Sequence, residues 1–327
     1  MADHAAVKTG EPRQCASAVV MVRPATFYSN PETLATNQFQ HLASLSLGET
    51  LAAARAEFAA AVERLLHAGI EVMVLEADPL ADTPDALFPN NWFSTHADGR
   101  LLLYPMSAIN RRRERRPEAL QSLLLAHGYE VDSISDFSSL EQVDRLVEGT
   151  GSLVFDHPAR RVYASLSART HPEAVATVAQ ELGYEAVMFH TQDAQGRLVY
   201  HTNVMMAVGA SVAVLADGMI QDPSERTCVL DTLSDSGKDV LPLSLEQIDE
   251  FAGNVLFLEG PTQGPCVALS ERAFKSLGGP LQRRLERHAS PLLFKVPTIE
   301  HLGGGGIRCM LAEIFLPKRA ARPAATP

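Results

Sequence analysis

The sequence is short of cysteine, short of positive charge and free of long apolar runs. Its four cysteines, Cys15, Cys228, Cys266 and Cys309, fall singly, tens of residues apart. No C-x-x-C pair is present, which removes the usual zinc, iron–sulfur and redox-dithiol patterns. Four thiols in 327 residues are also too few for a disulfide framework, so reduced cysteines in a cytoplasmic setting are expected. Only 28 Lys and Arg face 39 Asp and Glu, a formal net charge of -11. That sign is wrong for neutralising phosphates or an anionic membrane surface, so neither nucleic acid nor membrane is an expected partner. No apolar stretch nears the roughly 20 residues that span a bilayer. The opening MADHAAVKTGEPRQ has no apolar core of a signal peptide.

What is present is a chain with 46% hydrophobic residues, ample for a sizeable core. No low-complexity linker interrupts it, so one continuous domain is expected, ordered over roughly 16–317. The polar start and the tail PKRAARPAATP are expected to be loosely held. Short β-rich runs alternate with helical patterns. AVVMV (18–22) precedes an Ala-rich helix over roughly 48–68, and EVMVLE (71–76) follows it. RLLLYPM leads to a helix over about 117–127 and then YEVDSI. The hairpin SLVFDHPARRVYASL leads to a helix over about 172–183 and YEAVMF. The strand-like VYHTNVMMAVGASVAVL precedes helical segments near 222–234 and 245–252. NVLFLE and CVALS precede helices near 270–288 and LLFKV. A last strand, CMLAEIF, could pair beside the first.

These make about five units of roughly 60 residues, a spacing typical of repeated supersecondary units. Five units closed in a ring would form an α/β propeller. A doubly wound open sheet is the alternative, but no glycine-rich turn follows the first strand to mark a dinucleotide site.

Three islands carry candidate chemistry. HLGGGGIRCML (301–311) runs four glycines into Cys309. A plain loop would use them, and so would the tight wall of a pocket, because glycine lets a ligand approach the backbone closely. Cys309 would then stand at the entrance of the strand that follows. VYHTNVMMAVG places His201 between two strand-like halves, with Asn203 two residues on and on the same strand face. The imidazole is either a satisfied core histidine or a base. In VEGTGSLVFDH, Glu148 precedes a Gly-Thr-Gly turn, as a turn cap or as a carboxylate that orients a base. A nucleophilic cysteine needs both kinds of partner. Cys15, Cys228 and Cys266 read as small buried hydrophobes.

Together with FPNNWFSTH (88–96), these islands resemble the pentein superfamily of guanidine-modifying enzymes, which includes arginine deiminases, dimethylarginine hydrolases and amidinotransferases. The resemblance spans nearly the whole chain. The superfamily's Glu-Gly-Gly-Asp, His-x-Asp and Gly-rich-to-Cys segments are similar to Glu148-Gly149-Thr150-Gly151, His201-Thr202-Asn203 and Gly303 to Cys309. It implies a five-bladed α/β propeller of pseudo-fivefold ββαβ repeats with the site at its axis. SLSART resembles the family's Ser-x-Arg-Thr turn, which implies that Arg169 binds a substrate carboxylate. Arg111-Arg112-Arg113-Glu114 is similar to a segment supplying a second such arginine, for which Arg112 is the expectation.

Two departures bear on the substrate. Where guanidine-binding relatives have Phe-x-x-Asp, this chain has Phe88-Pro89-Asn90-Asn91, and where they have His-x-Asp it has Asn203. A carboxylate suits a guanidinium through charge-assisted hydrogen bonds, whereas a carboxamide offers an acceptor and two donors and suits a neutral ureido group. Burying a guanidinium without a countercharge costs several kcal/mol, a cost a paired urea avoids. The resemblance therefore implies a hydrolase on L-citrulline with catalytic Cys309, His201 and Glu148, and substrate contacts from Phe88, Asn90, Asn91, Asn203, Arg112 and Arg169. No metal or organic cofactor is implied. An arginine or dimethylarginine hydrolase stays open, as does a non-catalytic binding ring. The expected partner is a small amino acid. A homo-oligomer stays open, and so does the loop that closes over the site, with Asn30, Glu32 and Asn37 as candidates.

Overall fold

Fifteen strands among the described residues fall into five three-stranded sheets of one design. The computed structural model describes residues 13–43, 45–261 and 264–318. Strands β1 (Ala18–Arg23) and β2 (Glu71–Glu76) lead to β3 (Phe93–Thr95), β4 (Arg100–Leu103) and β5 (Ser133–Asp136). Then come β6 (Val154–Asp156), β7 (Arg161–Ser165), β8 (Glu185–Phe189), β9 (Met206–Val208), β10 (Val212–Leu215) and β11 (Asp239–Pro242). The series ends with β12 (Leu256–Gly260), β13 (Gly264–Ser270), β14 (Ser290–Phe294) and β15 (Ala312–Glu313). The sheet orders are β3-β4-β5, β6-β7-β8, β9-β10-β11, β12-β13-β14 and β15-β1-β2. In each, the middle strand pairs antiparallel with the first and parallel with the third.

Parallel neighbours cannot be joined by a tight turn, so a helix carries the chain across each time. These crossovers are Leu47–His67, Pro117–Ala126, Pro172–Leu182, Pro223–Asp235 and Glu271–Glu286. Local signals start them. Ser46 and Glu49 form a capping box ahead of the first, Asp222 caps the fourth, and proline opens three of the five. In Leu47–His67 the buried Thr50, Ala54, Phe58, Ala61 and Leu65 recur every three to four residues, so one stripe faces the sheet.

Burial falls from first strand to third. β3, β6 and β9 are buried along their whole length, the middle strands nearly so, and the third strands alternate or lie open, as in the exposed β5. The first strands touch one another, β15 against β3, β6 against β9 and β9 against β12. The innermost layer is therefore made of strands that each open a unit.

The expected pairing of the last strand with the first is present, with Val19 opposite Glu313 and Val20 opposite Ala312. The expected helices agree to within a few residues at each end, except that 245–252 shortens to Leu245–Asp249 and Glu271–Glu286 is broken at Gly278. Two strand expectations are corrected. CMLAEIF is a strand only at Ala312–Glu313, and Cys309 sits in a 3₁₀ turn, Ile307–Met310. The run through His201 is likewise broken by a 3₁₀ turn, Thr202–Val204. Their apolar residues are buried because they line the centre, which an apolar run alone does not distinguish from a strand. YEVDSI contributes strand only from Ser133. The termini expected to be loose, 1–12 and 319–327, lie outside the described residues. Among the described residues no helix is long and apolar enough to cross a membrane.

Candidate active site

Each innermost strand is preceded by a single tight turn, and these turns carry the polar residues singled out in the sequence. Pro89–Asn91 precedes β3, Gly149–Ser152 precedes β6, Thr202–Val204 precedes β9 and Ile307–Met310 precedes β15. A turn over 251–254 stands in the same place ahead of β12. Turn 149–152 packs against both 89–91 and 202–204, and 89–91 against 307–310. Glu148, His201, Cys309, Asn90, Asn91 and Asn203 thus converge, all less than a tenth exposed.

His201 Nε2 lies 2.7 Å from Glu148 Oε2. Glu148 also accepts the Ser107 backbone N–H at 2.8 Å and lies 3.7 Å from Arg169 Nη1. Burial alone would raise this carboxyl, but the Arg169 guanidinium, the His201 hydrogen bond and Arg111 hold it well below the usual carboxylate range. An ionised Glu148 only accepts, so Nε2 carries the proton and Nδ1 offers a lone pair. Burial takes His201 down to about 4 against the opposing pull of Glu148, so the imidazole is neutral at neutral pH. A Cβ built on Gly151 would stand 2.8 Å from His201 Nδ1 and 2.3 Å from Asn91 Nδ2. The absence of a side chain at 151 is therefore what lets that lone pair and the Asn91 carboxamide share one space.

Two carboxamides face the sulfur. Asn254 Nδ2 is 3.3 Å and Asn203 Nδ2 3.6 Å from Cys309 Sγ. Asn254 is fixed in turn, donating to the Asn203 backbone oxygen at 3.2 Å and accepting the Gly306 N–H at 3.2 Å. Asn254 Oδ1 stands 3.7 Å from the same sulfur, so this carboxamide presents both a donor and an acceptor to it. Burial pushes the thiols of Cys15 and Cys266 up to about 12 and about 11. Cys228, expected to be buried, is exposed.

The substrate-side residues divide. Phe88 packs on the glycine run, where a Cβ at Gly303 would lie 2.7 Å from its ring, so the glycines do form a wall against an aromatic side chain. Asn91 Oδ1 accepts from Arg111 Nη1 at 3.0 Å. Asn90 Nδ2 and Oδ1 and Asn203 Oδ1 are buried without a hydrogen-bond partner among the described residues. Arg169 stacks over the Tyr200 ring at 5.0 Å and reaches Thr36 Oγ1. Arg112 is not brought into the cluster. It turns to the Met106 carbonyl at 3.0 Å and to Glu141 at 3.3 Å, with a third of its side chain exposed. Its neighbour Arg111 is the buried one, held by Glu114 at 2.9 and 3.0 Å and by the Phe88 carbonyl at 3.2 Å. Adjacent residues of a helical turn point about 100° apart, so only one of the two faces the centre.

Segment 28–41 covers the cluster. Asn30 Nδ2 donates to Asp85 at 2.7 Å, Glu32 accepts the Asn110 N–H at 3.1 Å, and Asn37 Nδ2 reaches the Gly303 carbonyl at 3.3 Å. Arg111, Asp85 and Asn254 had not been expected from the sequence. Asn254 alone had a usable signal, since Asn254-Val255 ahead of β12 repeats Asn203-Val204 ahead of β9.

The family described as N,N dimethylarginine dimethylhydrolase, eukaryotic, matches residues 23–316. The chain belongs to this family, within the pentein superfamily. Solved structures of similar fold include the N-terminal domain of ArgZ bound to product, an arginine dihydrolase from cyanobacteria. It has a TM-score of 0.68 and 13% identity, over 92% of this chain and 99% of that one. A mutant of DDAH from Pseudomonas aeruginosa complexed with citrulline gives 0.63 and 13%, over 91% and 99%. AgrE in complex with ornithine and NAD+ gives 0.69 and 14%, over 93% of this chain but 40% of that longer one. At these identities the likeness is one of fold. No curated protein sequence matches significantly.

Proposed function

We propose that this pentein is a hydrolase that cleaves the ureido C–N bond of L-citrulline, giving ornithine, ammonia and carbon dioxide. In this reading the five sheets close as one five-bladed α/β propeller over about residues 16–317, with the pre-strand turns around its axis. The observation that carries the substrate choice is the set of neutral amides at the nucleophile. Asn203 presents Nδ2 to the sulfur and an unpartnered buried Oδ1 beside it, and Asn90 adds both ends of an unpartnered amide. An unpaired buried polar atom costs about 1–3 kcal/mol, a cost that a ureido group with its N–H donors and carbonyl acceptor removes.

Cys309 gives its proton to His201 Nδ1, and the thiolate attacks the ureido carbon. His201 then protonates the δ-nitrogen as the C–N bond breaks, releasing ornithine and leaving a carbamoyl group on sulfur. Water attacks that carbon with His201 taking its proton, and the S–C bond breaks to return the thiol and carbamate, which decomposes to carbon dioxide and ammonia. Glu148 stabilises the imidazolium formed in each half. Arg169, near the covering segment 28–41, takes the α-carboxylate. Because the cluster is buried, substrate enters when that segment opens.

A second reading keeps the cysteine chemistry on arginine or a methylated arginine. It is favoured by the family the chain belongs to and by the arginine dihydrolase of similar fold. The deciding experiment is a panel of citrulline, arginine and dimethylarginine, scoring ornithine and ammonia, with Cys309→Ser as the blank. Turnover of citrulline with arginine at least a hundredfold poorer supports the first reading. The reverse order replaces it with the second, and no turnover of any of them removes both.

A further inference from the structure

The innermost strands have two ends, and the far end carries a second group of polar side chains. β3 runs from turn 89–91 to His96, and β6 from turn 149–152 to His157. There a cleft of about 320 Å³ has Arg13, Arg100, Arg160, His96, His157 and Tyr184 in its lining, with one carboxylate, Asp98, beside Arg100. This volume falls in the range of small-molecule sites, roughly 300–1,000 Å³.

Its charge runs against the rest of the molecule. In a chain of net charge -11, three guanidinium groups meet at one cleft. Arg100 is neutralised by Asp98 at 2.9 Å and by Glu181 at 3.5 Å. Arg13 and Arg160 have no ion-pair partner among the described residues. Both are exposed residues at the edge of the cleft, so their guanidinium groups are free to close on an anion seated there.

The floor adds directional donors. His96 and His157 are 5% and 8% exposed, with ring centroids 6.3 Å apart. His96 Nε2 bonds Ser94 Oγ at 2.9 Å and His157 Nδ1 bonds the Tyr184 hydroxyl at 2.8 Å. The other nitrogen of each ring, Nδ1 of His96 and Nε2 of His157, has no partner among the described residues. Burial keeps both rings neutral, at about 3 for His96 and about 4 for His157, so each holds a single N–H, which faces the cleft in the tautomer whose bonded nitrogen accepts from Ser94 or Tyr184. The nearby titratable groups are Asp98, Asp156 and Arg100.

We propose that this cleft, at the opposite end of the inner strands from Cys309, binds a small multiply charged oxyanion of the phosphate or polycarboxylate kind. Arg13 and Arg160 supply the countercharge, and His96 and His157 supply the fixed donors. The oxyanion pairs with planar guanidinium groups, the geometry that arginine favours.

The test uses the full chain in thermal unfolding and isothermal titration, with inorganic phosphate and with citrate, against sodium chloride at matched ionic strength. Saturable stabilisation by at least one of the two probes, beyond that of chloride, is expected, since a ligand that binds only the folded state raises Tm with its concentration. Arg160→Gln, and the double variant with Arg13→Gln, should weaken the binding of that probe tenfold or more while citrulline turnover stays within twofold. Saturation by phosphate alone or by citrate alone identifies the ligand chemistry. Stabilisation that follows ionic strength only, or that survives undiminished in both variants, overturns the proposal.

Discussion

Asn203 stands where a neutral amide and a carboxylate would have opposite effects on the nucleophile, so Asn203→Asp is a sharp perturbation. The substitution keeps the shape of the side chain but replaces a donor 3.6 Å from Cys309 Sγ with an anionic oxygen. Two like charges about 4 Å apart repel by about 4 kcal/mol at an effective dielectric of about 20. At 1.4 kcal/mol per decade, the thiolate population falls by about a thousandfold. Asn203→Ala serves as the control, since it only removes a hydrogen bond to a charged group, worth about 1.5–3 kcal/mol, or a factor of about 10 to 100. The assay is iodoacetamide labelling at pH 7, read on the Cys309 peptide by mass spectrometry. It is done in a Cys228→Ser background, because Cys228 is exposed and would label in parallel. Labelling should slow from wild type to Asn203→Ala to Asn203→Asp, and arginine should gain on citrulline in the Asp variant because a guanidinium neutralises the new charge. Wild-type labelling in Asn203→Asp, or labelling no slower than in Asn203→Ala, would refute activation of the sulfur by neutral amide donors.

Three further outcomes are expected. Gly151→Ala places a methyl 2.3 Å from Asn91 Nδ2 and 2.8 Å from His201 Nδ1, so kcat/KM should fall a hundredfold or more, while overpacking lowers stability by only about 1–3 kcal/mol by urea unfolding. Arg169→Ala should raise KM for citrulline at least tenfold, while a substrate lacking the α-carboxylate should lose only the part that comes from the weakened hold on Glu148. Arg112→Ala, turned to Glu141, should stay within threefold in the same steady-state assay. His96, His157 and His201 are held by burial at about 3, 4 and 4, below the unfolded value near 6.5. The unfolded chain then binds more protons in that interval, so their contribution is complete above pH 6.5 and is lost as pH falls toward 4. Scanning calorimetry in chloride buffer should show a smaller drop in Tm between pH 7 and 4.5 for His157→Phe than for wild type.

Much of this architecture was readable in advance because its strands and crossovers leave different periodicities. Continuous apolar runs such as AVVMV mark strands covered on both faces, and the stripe in 47–67 marks a helix with one face down. Glu148, His201 and Cys309 were readable because their neighbours form recognisable segments. Other features left no such trace. Arg111 and Arg112 are the same residue type side by side, and only the rotation of the turn separates the one on Asn91 from the one on Glu141. Asn254 is marked only by the repeat of Asn203-Val204 as Asn254-Val255, a dipeptide too short to single out, and its contact with Cys309 depends on where another unit places its turn. The 3₁₀ turns at Thr202–Val204 and Ile307–Met310 were hidden because a short buried turn and a buried strand have the same composition.

The pairing of β15 with β1 has a consequence for biogenesis. Val19 and Val20 are made long before their partners Ala312 and Glu313, so this pairing waits until synthesis has passed Glu313. Cys309, the proposed nucleophile, lies three residues ahead of that closing strand. A chain stopped before Cys309 therefore lacks both the seam and the sulfur, and the first of the five sheets in sequence is the last to be completed.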